Sequence, residues 1–171
     1  ILKKDLGSRL INLDPKKKYI SRYREHIKRH LGKKHLKNKC NRPLTITFVV
    51  GGAGAQKKIA KILLESFRRK IKKGEIAINL VAGIRLEIKD YFKMIITEVG
   101  LKNHIGKEIN IISGLSKKEY FEKFNDCLHY TDILWTKPSE LVFYTALGLP
   151  IIMTRPLGAH EYYNERWISQ I

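Results

Sequence analysis

Runs of strand-like sequence alternating with helical sequence over short connections predict an α/β domain. The expected sheet is parallel and Rossmann-like, covered by helices on both faces and joined by right-handed crossovers. Three observations carry that expectation. Five short apolar, β-branched runs lie between Leu44 and Thr154, helical apolar spacing fills the gaps between them, and glycines or capping residues stand at the junctions.

The elements follow in order. Residues 1–43 read as a basic helical extension and linker, and 44–171 as the α/β domain. In the extension, Lys16 to Gly32 spaces Tyr19, Tyr23, Ile27 and Leu31 by four, which predicts one basic helix packing by a narrow face. Asp14 is its expected N-cap, Pro15 its first residue and Gly32 its C-cap. Lys33 to Arg42 reads as a charged linker.

Leu44 to Val50 is then a strand buried on both faces, and Gly51-Gly-Ala-Gly-Ala-Gln56 a tight loop. The following helix turns Ile59, Leu63, Phe67 and Ile71 inward. Ile76 to Ala82 is a second strand ending at Gly83, and Arg85 to Val99 a helix with Tyr91, Phe92, Ile95, Ile96 and Val99 inward. Glu108 to Ser113 is the third strand. Ser116 and Glu119 form a capping box for a helix that buries Tyr120, Phe121, Phe124 and Leu128. Asp132 to Thr136 and Leu149 to Thr154 supply two more strands around a short helix, and a last helix begins near His160.

Size and charge bound the function. The chain has 171 residues and a formal net charge of +18, with pI ≈ 10.0. Such a balance points to nucleic acid, an anionic membrane surface or anionic ligands, or else to lysine-rich helix faces that are merely solvated. Cys40 and Cys127 show neither ligand nor disulfide spacing; Cys127 reads as a small core residue, and a reducing, cytoplasmic setting is expected. No apolar run approaches a membrane span, and no signal peptide is evident. Ile1 at the start and a helical run at the end suggest a piece of a longer chain.

In such a sheet the strand-to-helix loops gather along one edge, where ligands bind. They hold Gly51, Gly52, Gly54, Gln56, Arg85, Lys137, Ser139, Glu140, Arg155, His160, Glu161 and, one turn on, Asn164. Gly51-Gly-Ala-Gly-Ala before a helix can bring backbone N–H groups close to a phosphate, or can simply serve tight packing. It matches neither the Walker nor the dinucleotide pattern. Ser139 is an N-cap or a ligand donor. Glu140 is a helix-dipole partner or an acceptor for ribose hydroxyls. Lys137 and Arg155 could neutralise a diphosphate. His160 lacks the partners of a metal ligand, no Asp-x-Asp stands ready for a metal ion, and no Gly-x-Ser-x-Gly nucleophile elbow occurs. No metal or cofactor is therefore expected.

Three of these segments resemble one family. Strand-Gly51-Gly-Ala-Gly-Ala-Gln56-helix, Asp132-Ile-Leu-Trp-Thr-Lys-Pro-Ser-Glu140 running on to Gly148-Leu-Pro150, and Pro156-Leu-Gly-Ala-His-Glu-Tyr-Tyr-Asn164 are similar to the donor-binding domain of GT-B glycosyltransferases. The group is that of the peptidoglycan N-acetylglucosaminyltransferases and diacylglycerol glycosyltransferases. The resemblance covers about Leu44 to Trp167. It implies a nucleotide-sugar donor, UDP-sugar first, an inverting transfer without bound metal, and an acceptor half on the same chain or a partner subunit. It places the glycine loop and Gln56 at the diphosphate or sugar, and His160 and Glu161 at sugar hydroxyls. The family's ribose-binding Glu lies five residues before the Gly of Gly-Leu-Pro; here Phe143 stands there, and Glu140 is the nearby carboxylate.

The leading expectation is thus a donor domain acting on a lipid-linked or membrane-surface acceptor, held at the inner face of the membrane by the basic helix around Tyr19 to His30. Two other readings stand beside it: a basic nucleic-acid-binding module, and a sugar epimerase on the same fold.

Overall fold

The computed structural model describes residues 2–35, 40–50, 56–137, 141–154, 159–168 and 170. Its sheet has five strands: β1 (Leu44–Val49), β2 (Ile76–Gly83), β3 (Ile109–Ser113), β4 (Ile133–Thr136) and β5 (Ile151–Met153). All four pairings are parallel, and the order is β3-β2-β1-β4-β5. The helices are α1 (Leu2–Leu13), α2 (Lys18–Arg22), α3 (Arg24–Leu31), α4 (Lys58–Lys72), α5 (Leu86–Glu98), α6 (Lys117–Tyr130), α7 (Leu141–Ala146) and α8 (Ala159–Ile168). This is the expected Rossmann-like α/β architecture, and the element ends move by a residue or two, as helix and strand ends do.

Alternation along the strands separates two cores. Ile46 and Phe48 of β1, with Ile78 and Leu80 of β2, pack against Leu63, Leu64 and Ile71 of α4 and Phe92, Ile95 and Ile96 of α5. Val81 and Leu134, on the other face, meet Phe124 and Leu128 of α6, Tyr144 of α7 and Leu149. Phe121, expected inward, is 60% exposed: it follows Tyr120 around the helix, and Tyr120 and Phe124 take the inner face with their rings stacked at 5.7 Å. The capping box forms. Ser116 Oγ accepts from Glu119 N–H at 3.2 Å, while the Glu119 carboxylate reaches the N–H of Leu115 at 2.8 Å. Gly114 just before it must be glycine on packing grounds, because a Cβ there would strike the backbone of Tyr120.

Beneath α6 the sheet carries a polar ladder. Asn110 Nδ2 donates to Asn79 Oδ1 at 3.2 Å, and Asn79 Nδ2 donates to Thr47 Oγ1 at 3.1 Å; the three residues are neighbours in register across β3, β2 and β1. Thr47 shares a 2.7 Å hydroxyl contact with Thr131, whose hydroxyl donates to the Cys127 carbonyl. Each side chain of this ladder thereby has a partner, which is the condition for keeping a polar group in a core.

The extension departs most from expectation. The chain does not form one helix over 16–32. It forms α2 and α3, separated at Tyr23, whose backbone leaves helical geometry at φ −110, ψ 25. Pro15 is in a turn rather than in the first helical position, since Lys17 sits in the left-handed region at φ 53. Asp14 does cap: its two carboxylate oxygens accept from the N–H groups of Lys18 and Ile20 at 2.9 and 2.8 Å. Because of the break, Ile27 is buried while Tyr19 and Tyr23 stay exposed and touch each other, ring centroids 4.7 Å apart. Gly32 ends α3 at φ 82, as expected.

Helix α1 was not anticipated by the sequence reading, and it binds the extension to the sheet. Arg9, 4% exposed, donates from Nε to the carbonyl of Thr131 at 2.8 Å, from Nη1 to those of Leu147 at 2.9 Å and Gly148 at 3.3 Å, and from Nη2 to that of Leu128 at 3.4 Å. One guanidinium so satisfies the carbonyl ends of both α6 and α7, where a positive charge is favoured. Burial draws its pKa below the ordinary value, and Asp132 and Asp5 push it back up. Arg42, read as linker, instead holds the fully buried Asp132 with two bonds of 2.6 and 2.7 Å. Asp132 also accepts from Asn12 Nδ2 and from the Thr45 N–H, each at 2.9 Å. Gly7 lets α1 lie against the carbonyl of His35, where a Cβ would collide.

Removing a buried ionic partner while leaving its cations in place is costly. Asp132→Ala is therefore expected to destabilise the chain by about 3–5 kcal/mol in urea unfolding, with Asp132→Asn between it and wild type. Thiol titration should separate the two cysteines. Cys40 is partly accessible, whereas Cys127 is buried and burial raises its pKa, so it should react only on unfolding.

Candidate functional site at the carboxyl edge of the sheet

The strand order reverses direction between β1 and β4: the chain winds from β1 toward β3 on one side and from β4 to β5 on the other. The helices that follow β1 and β4, α4 and α7, pack on opposite faces of the sheet, and in an open α/β sheet such a reversal is where ligands bind, outside the carboxyl ends of the strands. Residue 50 follows β1, and Lys137 follows the neighbouring β4. Their strands are paired in register through Phe48 and Trp135.

Two of the expected site residues come together here. Lys137 Nζ lies 3.6 Å from Glu161 Oε1, and both side chains are largely buried, at 11% and 7% exposure. The separation is that of an ion pair rather than a short direct hydrogen bond. Glu161 is in the first turn of α8, where the helix dipole favours an anion, so it is held by two independent positive fields. The strand behind them is pinned: Thr154, after β5, donates N–H to the Thr136 carbonyl at 3.0 Å, and both threonines are buried.

The other expected residues fall around this pair as the fold dictates. Gln56 stands in the turn entering α4, its carbonyl accepting from Ile59 N–H at 3.0 Å. Arg85 is exposed in extended backbone just before α5, at φ −94, ψ 111, on the same edge above β2. Gly83, before it, is at φ 69, in the left-handed conformation that a turn out of β2 requires and a side chain resists. His160 and Asn164 lie on α8 with Glu161, Asn164 three residues further along. Gly51, Gly52, Gly54, Ser139 and Glu140 lie outside the described residues, as does Arg155. Among the described residues no three of His, Cys, Asp and Glu gather as metal ligands.

One polar group near the crevice escaped the sequence reading. Trp135, on β4, packs edge-on against Phe48 with ring centroids 5.8 Å apart, and its indole Nε1 is buried without a hydrogen-bond partner among the described residues. In sequence it is one apolar residue in a strand, and nothing marks it off. Gly148, by contrast, has a local explanation. It closes α7 at φ 62, its carbonyl serves Arg9, and a Cβ would strike Leu6.

The chain belongs to the family described as a domain of unknown function, DUF6938, whose model matches residues 18–169. No curated protein and no solved structure matches the chain. The matched span includes α2 and α3 with the whole α/β unit.

Taking away either member of a largely buried pair strands the other charge. Lys137→Met and Glu161→Leu should each lower stability by about 3 kcal/mol, and the double variant Lys137→Met/Glu161→Leu by less than the sum. A double-mutant cycle by chemical denaturation reads the coupling; strict additivity would show the pair to be uncoupled.

Proposed function

We propose that this chain is the donor-binding half of a GT-B-type glycosyltransferase, taking a nucleotide sugar, UDP-sugar first, in the crevice between β1 and β4. The observation that carries the reading is the Lys137–Glu161 pair at the carboxyl end of β4, beside the point where strand order reverses. A diphosphate brings two negative charges to such an edge. Lys137 offers a cation there, and the segment of Gly51, Gly52 and Gly54 ahead of α4 offers backbone N–H groups.

Each residue then has a chemical task. Lys137 and Arg85 neutralise phosphate oxygens. Glu140, or Ser139, accepts or donates at the ribose. His160, Glu161 and Asn164, sharing α8, meet the sugar hydroxyls, where a carboxylate's paired lone pairs suit vicinal O–H groups. The sugar is transferred with inversion and without a metal ion, because cationic side chains and backbone dipoles balance the leaving diphosphate. The general base comes from the acceptor half, so the chain alone binds donor without turning it over. The acceptor is lipid-linked or held at a membrane surface.

A thermal-shift panel of UDP, UDP-N-acetylglucosamine, UDP-glucose, GDP-mannose and ADP-glucose tests this. At a hundredfold excess over Kd a ligand of the folded state adds about 2.7 kcal/mol. For a chain of this size that raises Tm by roughly 5 to 10 °C. One nucleotide should produce the shift, and Glu140→Ala should abolish it. Indifference to every nucleotide sugar, with the acceptor half supplied, contradicts the reading. Binding to nucleic acid that falls steeply with salt and survives Glu140→Ala would favour the basic-module alternative.

A further inference from the structure

The charge of this chain is not spread evenly. Residues 1–43 hold 15 Lys and Arg against three Asp and Glu, a net of +12, whereas residues 44–171 hold 19 against 13, a net of +6. The basic segment also bears a cavity. Between α1, the α2–α3 pair and the turn entering β5 lies a groove of about 740 Å³, walled mainly by Leu6, Leu10 and Leu13 of α1, Ile27 and Leu31 of α3, and Pro150. Leu13 at its lip is 37% exposed and Tyr19 55%. Asp14 and Tyr19 also line the groove, and the exposed Lys16, Lys17 and Lys18 fall between them in sequence.

We propose that this groove docks the chain on an anionic bilayer, taking one acyl chain of an acidic phospholipid while Lys16, Lys17 and Lys18 hold its headgroup. Apolar walls at i, i+4 and i+7 on α1 and at i, i+4 on α3 give a mainly apolar trough, which suits a hydrocarbon chain, while Arg9, Asp14, Tyr19, His26 and His30 supply its polar lining. Its volume of about 740 Å³ falls in the range of small-ligand sites. The exposed lysines between the lining residues Asp14 and Tyr19 supply the charge complementarity that selects an acidic headgroup. Gly148 and Pro150 place the groove at the amino ends of the strands, opposite the carboxyl edge with Lys137 and Glu161. The inference therefore uses no residue of the proposed donor site and stands or falls separately from it.

Flotation of the full chain with vesicles tests it. The chain should float with equimolar phosphatidylcholine–phosphatidylglycerol vesicles, not with phosphatidylcholine alone, and lose binding as salt rises. Lys16→Glu/Lys17→Glu/Lys18→Glu, at exposed turn and helix-start positions, should weaken binding at least about tenfold. Leu13→Trp should retain binding, with its added emission quenched by vesicles whose acyl chains are brominated. Circular dichroism confirms that each variant is folded. Failure to float with the acidic vesicles, undiminished binding by the triple lysine variant, or a Leu13→Trp emission blind to brominated chains each overturns the proposal. The last of these would mean adhesion by charge alone.

Discussion

Asp132 is the point on which the assembly of this chain turns. A carboxylate with no exposed surface at the amino end of β4 must be surrounded by donors, and it is, by Arg42, Asn12 and the Thr45 N–H. Each donor comes from a different stretch of chain: the segment before β1, helix α1, and β1 itself. One residue thus ties the extension to the sheet and fixes β4 against β1. Arg9 repeats the device in the opposite sign, one cation serving carbonyls at the ends of α6 and α7. The extension is consequently a packed part of the domain rather than a tether.

That constraint reaches the far end of the same strand. β4 is only four residues long, so anchoring Asp132 also sets the position of Lys137 at its carboxyl end. Lys137 then meets Glu161 from α8, which is delivered by β5 on the other side of β4. The edge therefore combines a cation fixed by the sheet, an anion fixed by a helix start, and a glycine-rich segment leading to α4. Because the charges of this edge are already positioned, little reorganisation would oppose binding of the ligand proposed for it. The proposed nucleotide sugar would bring to it a diphosphate to be neutralised and hydroxyls to be held.

The sheet was legible in the sequence because its signals are local and agree with one another. Leu44 to Val49, Ile76 to Ala82 and the Ser116–Glu119 cap each announce themselves within a few residues. What was missed depends on distant partners. Arg42 looks like one more lysine-rich linker residue until Asp132, ninety positions on, is brought beside it. Arg9 in α1 is similar, its acceptors being carbonyls that no side-chain pattern reveals. The four-residue spacing of Tyr19, Tyr23, Ile27 and Leu31 suggested a continuous helix, yet the Asp14 turn and the break at Tyr23 are set by backbone geometry. At the site, sequence order gave the loops that share an edge. It could not show that Lys137 and Glu161 pair, or that Trp135 Nε1 is enclosed.

Hydrogen–deuterium exchange with and without a UDP-sugar tests the location of the proposed donor site most directly. The account predicts protection concentrated at residues 50–57, 136–141 and 155–164, with 14–31 unchanged. Protection confined to 14–31, or uniform exchange at saturating ligand with the acceptor half present, would contradict it.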